Sequence, residues 1–214
     1  MAKVKEINVI ICGVGGQGTV LMSELLGNAA VRDGLSVKGS EVLGMAQRGG
    51  SVFSNIRLGS NVYAPLTPEG KCHIMVAIEP SEALRNIHFL ADSSIVILNT
   101  RKVIPASVSM GKSVYPALEQ ITEKLSKAAK NVITLDATQL AQQAGNILAT
   151  NVVMLGALFG SGLMPIKIET VKATLQARLP ARVLEANMRA FDLGYLECQK
   201  SLQETAPAAR ARRK

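Results

Sequence analysis

A strand, a glycine loop and a helix follow one another near the N-terminus. The apolar run Ile7–Cys12 has the length of a strand, and it continues into the sequence GVGGQGT. Gly13, Gly15 and Gly18 have the G-x-G-x-x-G spacing that lets backbone approach a ligand at the start of a helix. Thr19–Arg32 then places apolar side chains at helical intervals. This order favours an α/β fold, because a buried strand and the helix that follows it must pack together.

The alternation of strands and helices continues through the first half of the chain. Further strands are predicted at Ser36–Glu41, Ser51–Leu58, Lys71–Ile78, Ser94–Leu98 and Asn131–Asp136. Further helices are predicted from Pro80 to about Leu90 and at Ala117–Lys130, Gln139–Gly145, Ala149–Phe159, Ile168–Arg178 and Ala181–Leu202. The pattern predicts a three-layer α/β/α domain with a helical C-terminal part. Its sheet is expected to be largely parallel, and a mixed sheet stays open.

Charge is concentrated at the C-terminus. The chain has 24 Lys and Arg against 16 Asp and Glu, and the tail APAARARRK supplies half of the net charge of +8. Residues 1–203 are therefore predicted to form one domain, and residues 204–214 a disordered basic tail. Nucleic-acid binding is not expected, since aromatic residues make up only 3% of the chain and stacking on bases needs exposed rings.

The cysteines predict neither a metal site nor a cluster on this chain. Cys12, Cys72 and Cys198 are far apart and none belongs to a C-x-x-C motif, so neither a zinc site nor an iron–sulfur cluster is expected. Cys12 and Cys72 lie in or beside apolar strand-like runs, where buried reduced thiols are expected. Residues 147–166 carry no charge, but they include three glycines, Asn151 and Pro165, which favours a buried helix over a membrane span. No secretory signal precedes the first strand, so a cytoplasmic location is expected.

The glycine loop by itself leaves three interpretations open. It could hold a dinucleotide, bind another anion, or be a structural turn that brings strand and helix close. A dinucleotide site needs a carboxylate after the second strand, and Glu41 stands near that place. However, the strand SVKGSE is poor in apolar residues for the buried centre of a dinucleotide-binding sheet.

A second glycine-rich stretch, GMAQRGGSV, lies between two predicted strands. Gly49 and Gly50 permit close approach, Arg48 offers a forked donor to phosphate or carboxylate, and Gln47 and Ser51 add neutral hydrogen-bonding groups. A tight turn with a solvated arginine is the simpler alternative. Both glycine-rich stretches are expected to meet at one edge of the sheet, where α/β proteins bind ligands.

Four other polar residues are given structural interpretations. His73 lies in an apolar strand and is expected to be a satisfied core histidine rather than a base, and His88 has no triad partner at a suitable spacing. Asp136 is expected to cap the following helix. Asn151, within an apolar helix, needs a partner, and a neighbouring backbone group is the favoured one.

Six motifs, in this order, resemble gamma-type subunits of 2-oxoacid:ferredoxin oxidoreductases, with the beta subunits of indolepyruvate:ferredoxin oxidoreductases the nearest match. The motifs extend over nearly the whole chain up to about residue 202. They are Gly13–Thr19, Ser40–Val52, Glu79–Arg85, the pair Asn99-Thr100 with Tyr115-Pro116, Asn151–Leu158 and Asn187–Gly194.

The resemblance implies a subunit that binds none of the redox cofactors itself. A larger partner would carry thiamine diphosphate, magnesium and iron–sulfur clusters, and the complex would convert an aryl pyruvate to its acyl-coenzyme A while reducing ferredoxin. This chain would help to form the coenzyme A side of the site, and it offers no assigned catalytic residue or metal ligand. The candidate contacts to coenzyme A or to the partner are Gly13, Gly15, Gly16, Gln17, Gly18, Gln47, Arg48, Gly49, Gly50 and Ser51. A stand-alone NAD(P)-binding protein and a non-catalytic scaffold remain the alternatives.

Overall fold

A mixed six-stranded sheet forms the middle layer of the computed structural model, which describes residues 5–44 and 48–211, with side chains up to residue 204. The strand order is β2-β3-β1-β4-β5-β6. The strands are β1 (Ile7–Val14), β2 (Val37–Leu43), β3 (Ser51–Leu58), β4 (Cys72–Ala77), β5 (Leu90–Asn99) and β6 (Asn131–Leu135). β1, β4, β5 and β6 are parallel to one another, whereas β3 runs antiparallel to both of its neighbours.

Helices cover both faces of this sheet. They are α1 (Thr19–Arg32), α2 (Pro80–Arg85), α3 (Ala106–Ser109), α4 (Leu118–Ala128), α5 (Ala137–Gln143), α6 (Thr150–Gly160), α7 (Ile168–Arg178) and α8 (Ala181–Ala211), with short 3-10 turns at Ile87–Phe89 and Ile147–Ala149. One core joins the sheet to α1 and to the C-terminal helices α5–α8. The other lies between the sheet and α2 and α4. The predicted three-layer α/β/α fold with a helical C-terminal part is confirmed, and the sheet is mixed.

Helix α6 is enclosed on all sides. Every residue from Asn151 to Gly160 is buried, which explains why this segment is apolar around its whole circumference. The buried-helix interpretation of residues 147–166 is confirmed for α6. Among the helices that the structure describes, none has both the length and the hydropathy needed to cross a membrane.

Helices α6 and α8 approach one another backbone to backbone. A Cβ atom built on Gly156 would lie 2.0 Å from the carbonyl oxygen of Phe191, and one built on Gly194 would lie 1.9 Å from that of Val153. Real Cβ atoms do not occupy such positions, so any side chain would force the two helices apart. Two of the sequence motifs, Asn151–Leu158 and Asn187–Gly194, therefore meet as a single helix contact.

Two local expectations were wrong. The helix predicted to reach Leu90 ends at Arg85, because Asn86 closes it with bonds from its backbone and side chain to the Glu82 carbonyl, and β5 already begins at Leu90. His73 is exposed rather than in the core, although its Nδ1 does accept a hydrogen bond from the Asn8 N–H. The backbone of α8 extends to Ala211, and the predicted disorder of residues 204–214 stays a prediction, since side chains after residue 204 lie outside the described part.

The three cysteines are free and buried, as expected for Cys12 and Cys72. Burial raises the pKa of the Cys72 thiol to about 12 and that of the Cys198 thiol to about 11, and it also raises the pKa of Cys12. Because the thiolate is the reactive form, these residues are inert packing groups in the folded chain.

Candidate functional site

The two glycine-rich stretches are bonded to each other. β1 and β3 pair over their whole length, and beyond them the Gly15 N–H donates to the Gly50 carbonyl at 2.8 Å, while the Gly49 N–H donates to the Gly15 carbonyl at 3.1 Å. Residues 13–18 and 48–51 thus form one surface, the glycine edge, at the carboxyl ends of the parallel strands. The expected meeting of the two stretches is confirmed.

The glycine edge has backbone N–H groups without a capping side chain, and open space beside two of its glycines. Gly18 precedes α1 in the left-handed region at φ 80° and offers no side-chain cap, so the first N–H groups of α1 lack a capping side chain. Nothing lies within 4 Å of a Cβ built on Gly16 or Gly49, both of which also have positive φ. Free amides at the positive end of a helix dipole, below open space, suit an anionic group.

Asn151 holds the turn at Gly18 through a hydrogen bond to its backbone. Its Nδ2 donates to the Gly18 carbonyl at 3.3 Å, so the expected backbone partner for this buried amide is found. A Cβ on Gly18 would lie 2.5 Å from that Nδ2. The start of α1 and the start of α6 are therefore fitted to each other through a glycine and an asparagine.

We expect Gly18→Ala to destabilise the chain by about 1 kcal/mol more than Gly16→Ala. Both positions have positive φ and carry the same left-handed penalty, but only Gly18 contacts Asn151. Urea unfolding of both variants measures the difference. The same pair should unfold alike in an Asn151→Ala background, and a difference that persists there would disprove the contact as its cause.

The side chains of the candidate residues differ in their hydrogen bonding and exposure. Gln17 folds back so that its Oε1 accepts from the Val14 N–H at 2.9 Å, which braces the loop. The Ser51 hydroxyl donates to Glu82 Oε2 at 2.5 Å. Arg48 is exposed, and no hydrogen bond joins its side chain to another described residue. Gln47 lies outside the described residues.

A buried carboxylate behind the glycine edge was missed at the sequence level. Glu79 is 0% exposed and is the N-cap residue of α2. Its Oε2 accepts from the Ser81 hydroxyl at 2.6 Å and from the Glu82 N–H at 3.1 Å, and its Oε1 accepts from the Tyr115 hydroxyl and from the Val103 N–H. The two ends of the connection 101–116 are thereby held against the start of α2. Burial, together with the hydrogen bond to the Glu79 carboxylate, raises the pKa of the Tyr115 hydroxyl.

Glu82 links α2 to the glycine edge. Its side chain is 4% exposed and accepts both the Ser51 hydroxyl and the Arg85 guanidinium, the latter at 2.9 Å. The signal for both carboxylates was the EPSE sequence itself, in which two glutamates enclose a helix start after a buried strand. From the sequence alone, this pattern is as typical of an ordinary helix start as of a pair of buried carboxylates.

Asn99 and Asp136 complete the same edge. Asn99, at the end of β5, donates to the Ile78 carbonyl at 2.9 Å and accepts from the Ala137 N–H at 3.0 Å, so it ties together the ends of three parallel strands. Asp136 accepts from the Gln139 N–H at 2.8 Å and caps α5, as expected. Within the described ranges, no three His, Cys, Asp or Glu side chains are grouped so that they could hold a metal ion.

The strand order bears on the dinucleotide alternative. β3 lies between β1 and β2, so the two strands are separated by roughly 10 Å across the sheet. Glu41 lies within β2, the outermost strand, where it pairs with Ser54 of β3. It does not stand at the end of a strand next to β1. A ribose-binding carboxylate must stand beside the first glycine loop, and Glu41 does not. The polar character of β2 is explained by its place at the edge.

Sequence comparison identifies the family. The family model described as pyruvate ferredoxin/flavodoxin oxidoreductase matches residues 8–197. The chain is 46% identical over 190 residues to the indolepyruvate oxidoreductase subunit IorB of Archaeoglobus fulgidus, covering 89% of this chain and 94% of the relative. It is 41% identical over 199 residues to the subunit of the same name from Pyrococcus horikoshii, covering 92% and 98%.

Solved structures show the same fold. The pyruvate oxidoreductase subunit PORC of Thermotoga maritima aligns with a TM-score of 0.66 and 24% identity, over 89% of this chain and 96% of that one. The 2-oxoglutarate:ferredoxin oxidoreductase of Magnetococcus marinus aligns with a TM-score of 0.71 and 19% identity, over 92% of this chain and 31% of that one. The chain therefore belongs to the pyruvate ferredoxin/flavodoxin oxidoreductase family and is a subunit of a 2-oxoacid:ferredoxin oxidoreductase.

Proposed function

We propose that this chain is the subunit of an indolepyruvate:ferredoxin oxidoreductase that binds no redox cofactor and forms the coenzyme A side of the active site. The complex would decarboxylate an aryl 2-oxoacid oxidatively to its acyl-coenzyme A and pass the electrons to ferredoxin. A larger partner subunit would supply thiamine diphosphate, magnesium and iron–sulfur clusters for this chemistry. The proposal is carried by the relatives named for indolepyruvate, at 46% and 41% identity over nearly their full lengths.

The glycine edge is where we place the contact with coenzyme A or with the partner subunit. Its uncapped amides and the exposed Arg48 are suited to phosphate groups, and the positive-φ glycines leave room for close approach. Gln17 braces its own loop, and Glu82 holds the second loop through the Ser51 hydroxyl. These residues fit an anionic ligand, because the two buried glutamates, Glu79 and Glu82, already accept hydrogen bonds from neighbouring side chains and backbone.

Co-purification tests the proposal as a whole. The tagged full-length chain, expressed in its own organism, should retain a larger brown subunit that contains thiamine diphosphate. The purified complex should reduce ferredoxin with indolepyruvate in a reaction that requires coenzyme A. A colourless chain that emerges alone would contradict the proposal, and turnover of phenylpyruvate or phenylglyoxylate in preference to indolepyruvate would correct the substrate.

We expect Arg48→Ala to raise the KM for coenzyme A about tenfold or to loosen the complex, because a charge-assisted contact at the glycine edge is lost. Steady-state kinetics and gel filtration of the reconstituted complex measure the two effects. Lys130→Ala is the matched control, since Lys130 is an exposed cation just before β6, at the opposite edge of the sheet. If Arg48→Ala matches wild type in both measurements, Arg48 has no part in either contact.

The NAD(P)-binding alternative has a direct test of its own. Titration of the isolated chain with NADH, followed by nicotinamide fluorescence, is expected to show no saturable binding. Saturable binding that depends on Glu41 would favour the alternative over the oxidoreductase subunit.

A further inference from the structure

The second glycine-rich stretch has a single side-chain anchor among its described residues. The first stretch is held by two side chains, Gln17 and Asn151. In residues 48–51, the Ser51 hydroxyl is the side-chain group that bonds to the rest of the described fold, and its partner is Glu82. The two residues before Ser51 are glycines, which lose more conformational freedom on ordering than any other residue type. The position of this stretch therefore depends on the bond to Glu82.

Glu82 is itself firmly held. Its side chain is 4% exposed, and its Oε1 accepts from the Arg85 guanidinium at 2.9 Å. Its N–H donates to the Glu79 carboxylate at 3.1 Å, and its carbonyl accepts from the backbone N–H and the side chain of Asn86. Because the backbone and the carboxylate of Glu82 are both fixed, its Oε2 sets a defined position for the group that binds there.

The bond between Ser51 and Glu82 determines where the two glycine-rich stretches meet. The distance from Ser51 Oγ to Glu82 Oε2 is 2.5 Å, which is typical of the strong bond between a hydroxyl and a carboxylate. Gly50, the neighbour of Ser51, accepts from the Gly15 N–H, and the Gly49 N–H donates to the Gly15 carbonyl. A shift of Ser51 would thus displace both bonds that join the second stretch to the first.

The charge of Glu82 and its position have opposite effects on an anionic ligand. A carboxylate behind a phosphate-binding surface repels phosphate, and the Arg85 guanidinium offsets part of this repulsion. The hydrogen bond to Ser51, in contrast, favours binding if it holds the surface in the right shape. Removal of the charge should therefore strengthen binding if charge dominates, and should weaken it if position dominates.

We propose that Glu82 is a positioning residue for coenzyme A. Through Ser51 it holds residues 48–51 against the start of α1, where the phosphate groups of coenzyme A bind. The inference rests on the proposed function, and it assigns a role to a residue that does not touch the ligand. Ser51 is then a link rather than a contact, because its hydroxyl donates to Glu82. Loss of the link weakens the binding of coenzyme A and leaves the turnover of the fully bound complex intact.

Steady-state kinetics of the reconstituted complex test the link. Ser51→Ala should raise the KM for coenzyme A about fivefold and leave kcat within about twofold of wild type. Ser51→Thr, which keeps the hydroxyl, should restore the wild-type KM. Ser94→Ala is the matched control, because it removes a buried hydroxyl that donates to the carbonyl of Cys72, the first residue of β4, at 2.6 Å. The control should lower stability and leave both kinetic constants unchanged, since it lies away from the glycine edge.

A double-mutant cycle tests whether Glu82 acts through Ser51. Glu82→Gln alone should raise the KM for coenzyme A about threefold, because a neutral amide holds the hydroxyl less firmly than a carboxylate does. In a Ser51→Ala background the same change should raise the KM no further. Two results would overturn the inference. A KM lowered by Glu82→Gln alone would show that charge dominates, and effects of the two changes that multiply would show that Glu82 acts independently of Ser51.

Hydrogen exchange of the full-length chain gives a readout that does not depend on coenzyme A. Ser51→Ala should speed the exchange of the Gly15 and Gly49 N–H groups about tenfold, and the Thr100 N–H, bonded to the Leu135 carbonyl, should keep its wild-type rate. Unchanged exchange at both glycines would overturn the inference. So would faster exchange with an unchanged KM, in a wild-type complex that requires coenzyme A. A wild-type complex that turns over without coenzyme A would instead contradict the proposed function, and with it the role of Glu82 in coenzyme A binding.

Discussion

Gly194→Ala should destabilise the folded chain by about 3 kcal/mol, which lowers the midpoint of urea unfolding without changing the fold class. The added methyl group would lie 1.9 Å from the Val153 carbonyl oxygen, and backbone on both helices leaves no flexible group to move aside. Gly156→Ala, whose methyl group would meet the Phe191 carbonyl at 2.0 Å, should have a similar effect. Far-ultraviolet circular dichroism during a urea titration measures both.

Gly27→Ala is the control for this prediction. Gly27 also lies inside a helix, α1, but nothing is found within 4 Å of a Cβ built there. Alanine should therefore stabilise α1 by about 1 kcal/mol through its higher helix propensity. If Gly194→Ala and Gly27→Ala shift the unfolding midpoint in the same direction, the close approach of α6 and α8 is not what requires glycine at position 194.

Glu79→Gln should cost about 2 kcal/mol of folding free energy, although the side chain keeps its shape. The two carboxylate oxygens accept from four donors, and each oxygen faces one backbone N–H, that of Val103 or that of Glu82. A hydroxyl can turn and accept from an amide, whereas a backbone N–H cannot. In either orientation of the glutamine, its NH₂ group opposes one backbone N–H inside a buried site, and that N–H loses its acceptor.

Two measurements make the Glu79 prediction specific. Limited proteolysis should cut Glu79→Gln within residues 101–116 faster than wild type, because the two ends of that connection lose part of their anchor. Tyr115→Phe, which removes one donor to Glu79 and the acceptor of the Ser81 N–H, should lose about 1 kcal/mol, and Glu69→Gln, at an exposed position, should match wild type. Unfolding of Glu79→Gln at the wild-type urea concentration would show that the carboxylate is not needed as an acceptor.

The pattern of the chain predicted its local structure well. The bounds predicted for α1, β3 and α7 agree with the structure at both ends, because each segment has its own apolar periodicity and ends at residues that stop it. The helix after Glu79 was predicted too long. There the periodicity continues past Arg85, and the bond from the Asn86 side chain to the Glu82 carbonyl ends the helix earlier.

The candidate site was predictable only in part. The glycine spacing identified where backbone comes close, and the two stretches do meet. No local pattern indicated that Gln17 would brace its own loop, or that Glu79 would hold both ends of a connection more than twenty residues further along the chain. Such contacts depend on where strands end in three dimensions, and periodicity carries no information on that.

The sequence by itself determined the alternation of elements and the glycine loop at the start of α1, since both depend on local spacing, and its six motifs carry the resemblance to the family. The tertiary structure decided the strand order. The short connection after β2 returns the chain as an antiparallel β3 between β2 and β1, which removes Glu41 from the place of a ribose-binding carboxylate and leaves β2 as an open edge. Which strand becomes a neighbour depends on long-range hydrogen bonds, and those form only when the whole sheet does.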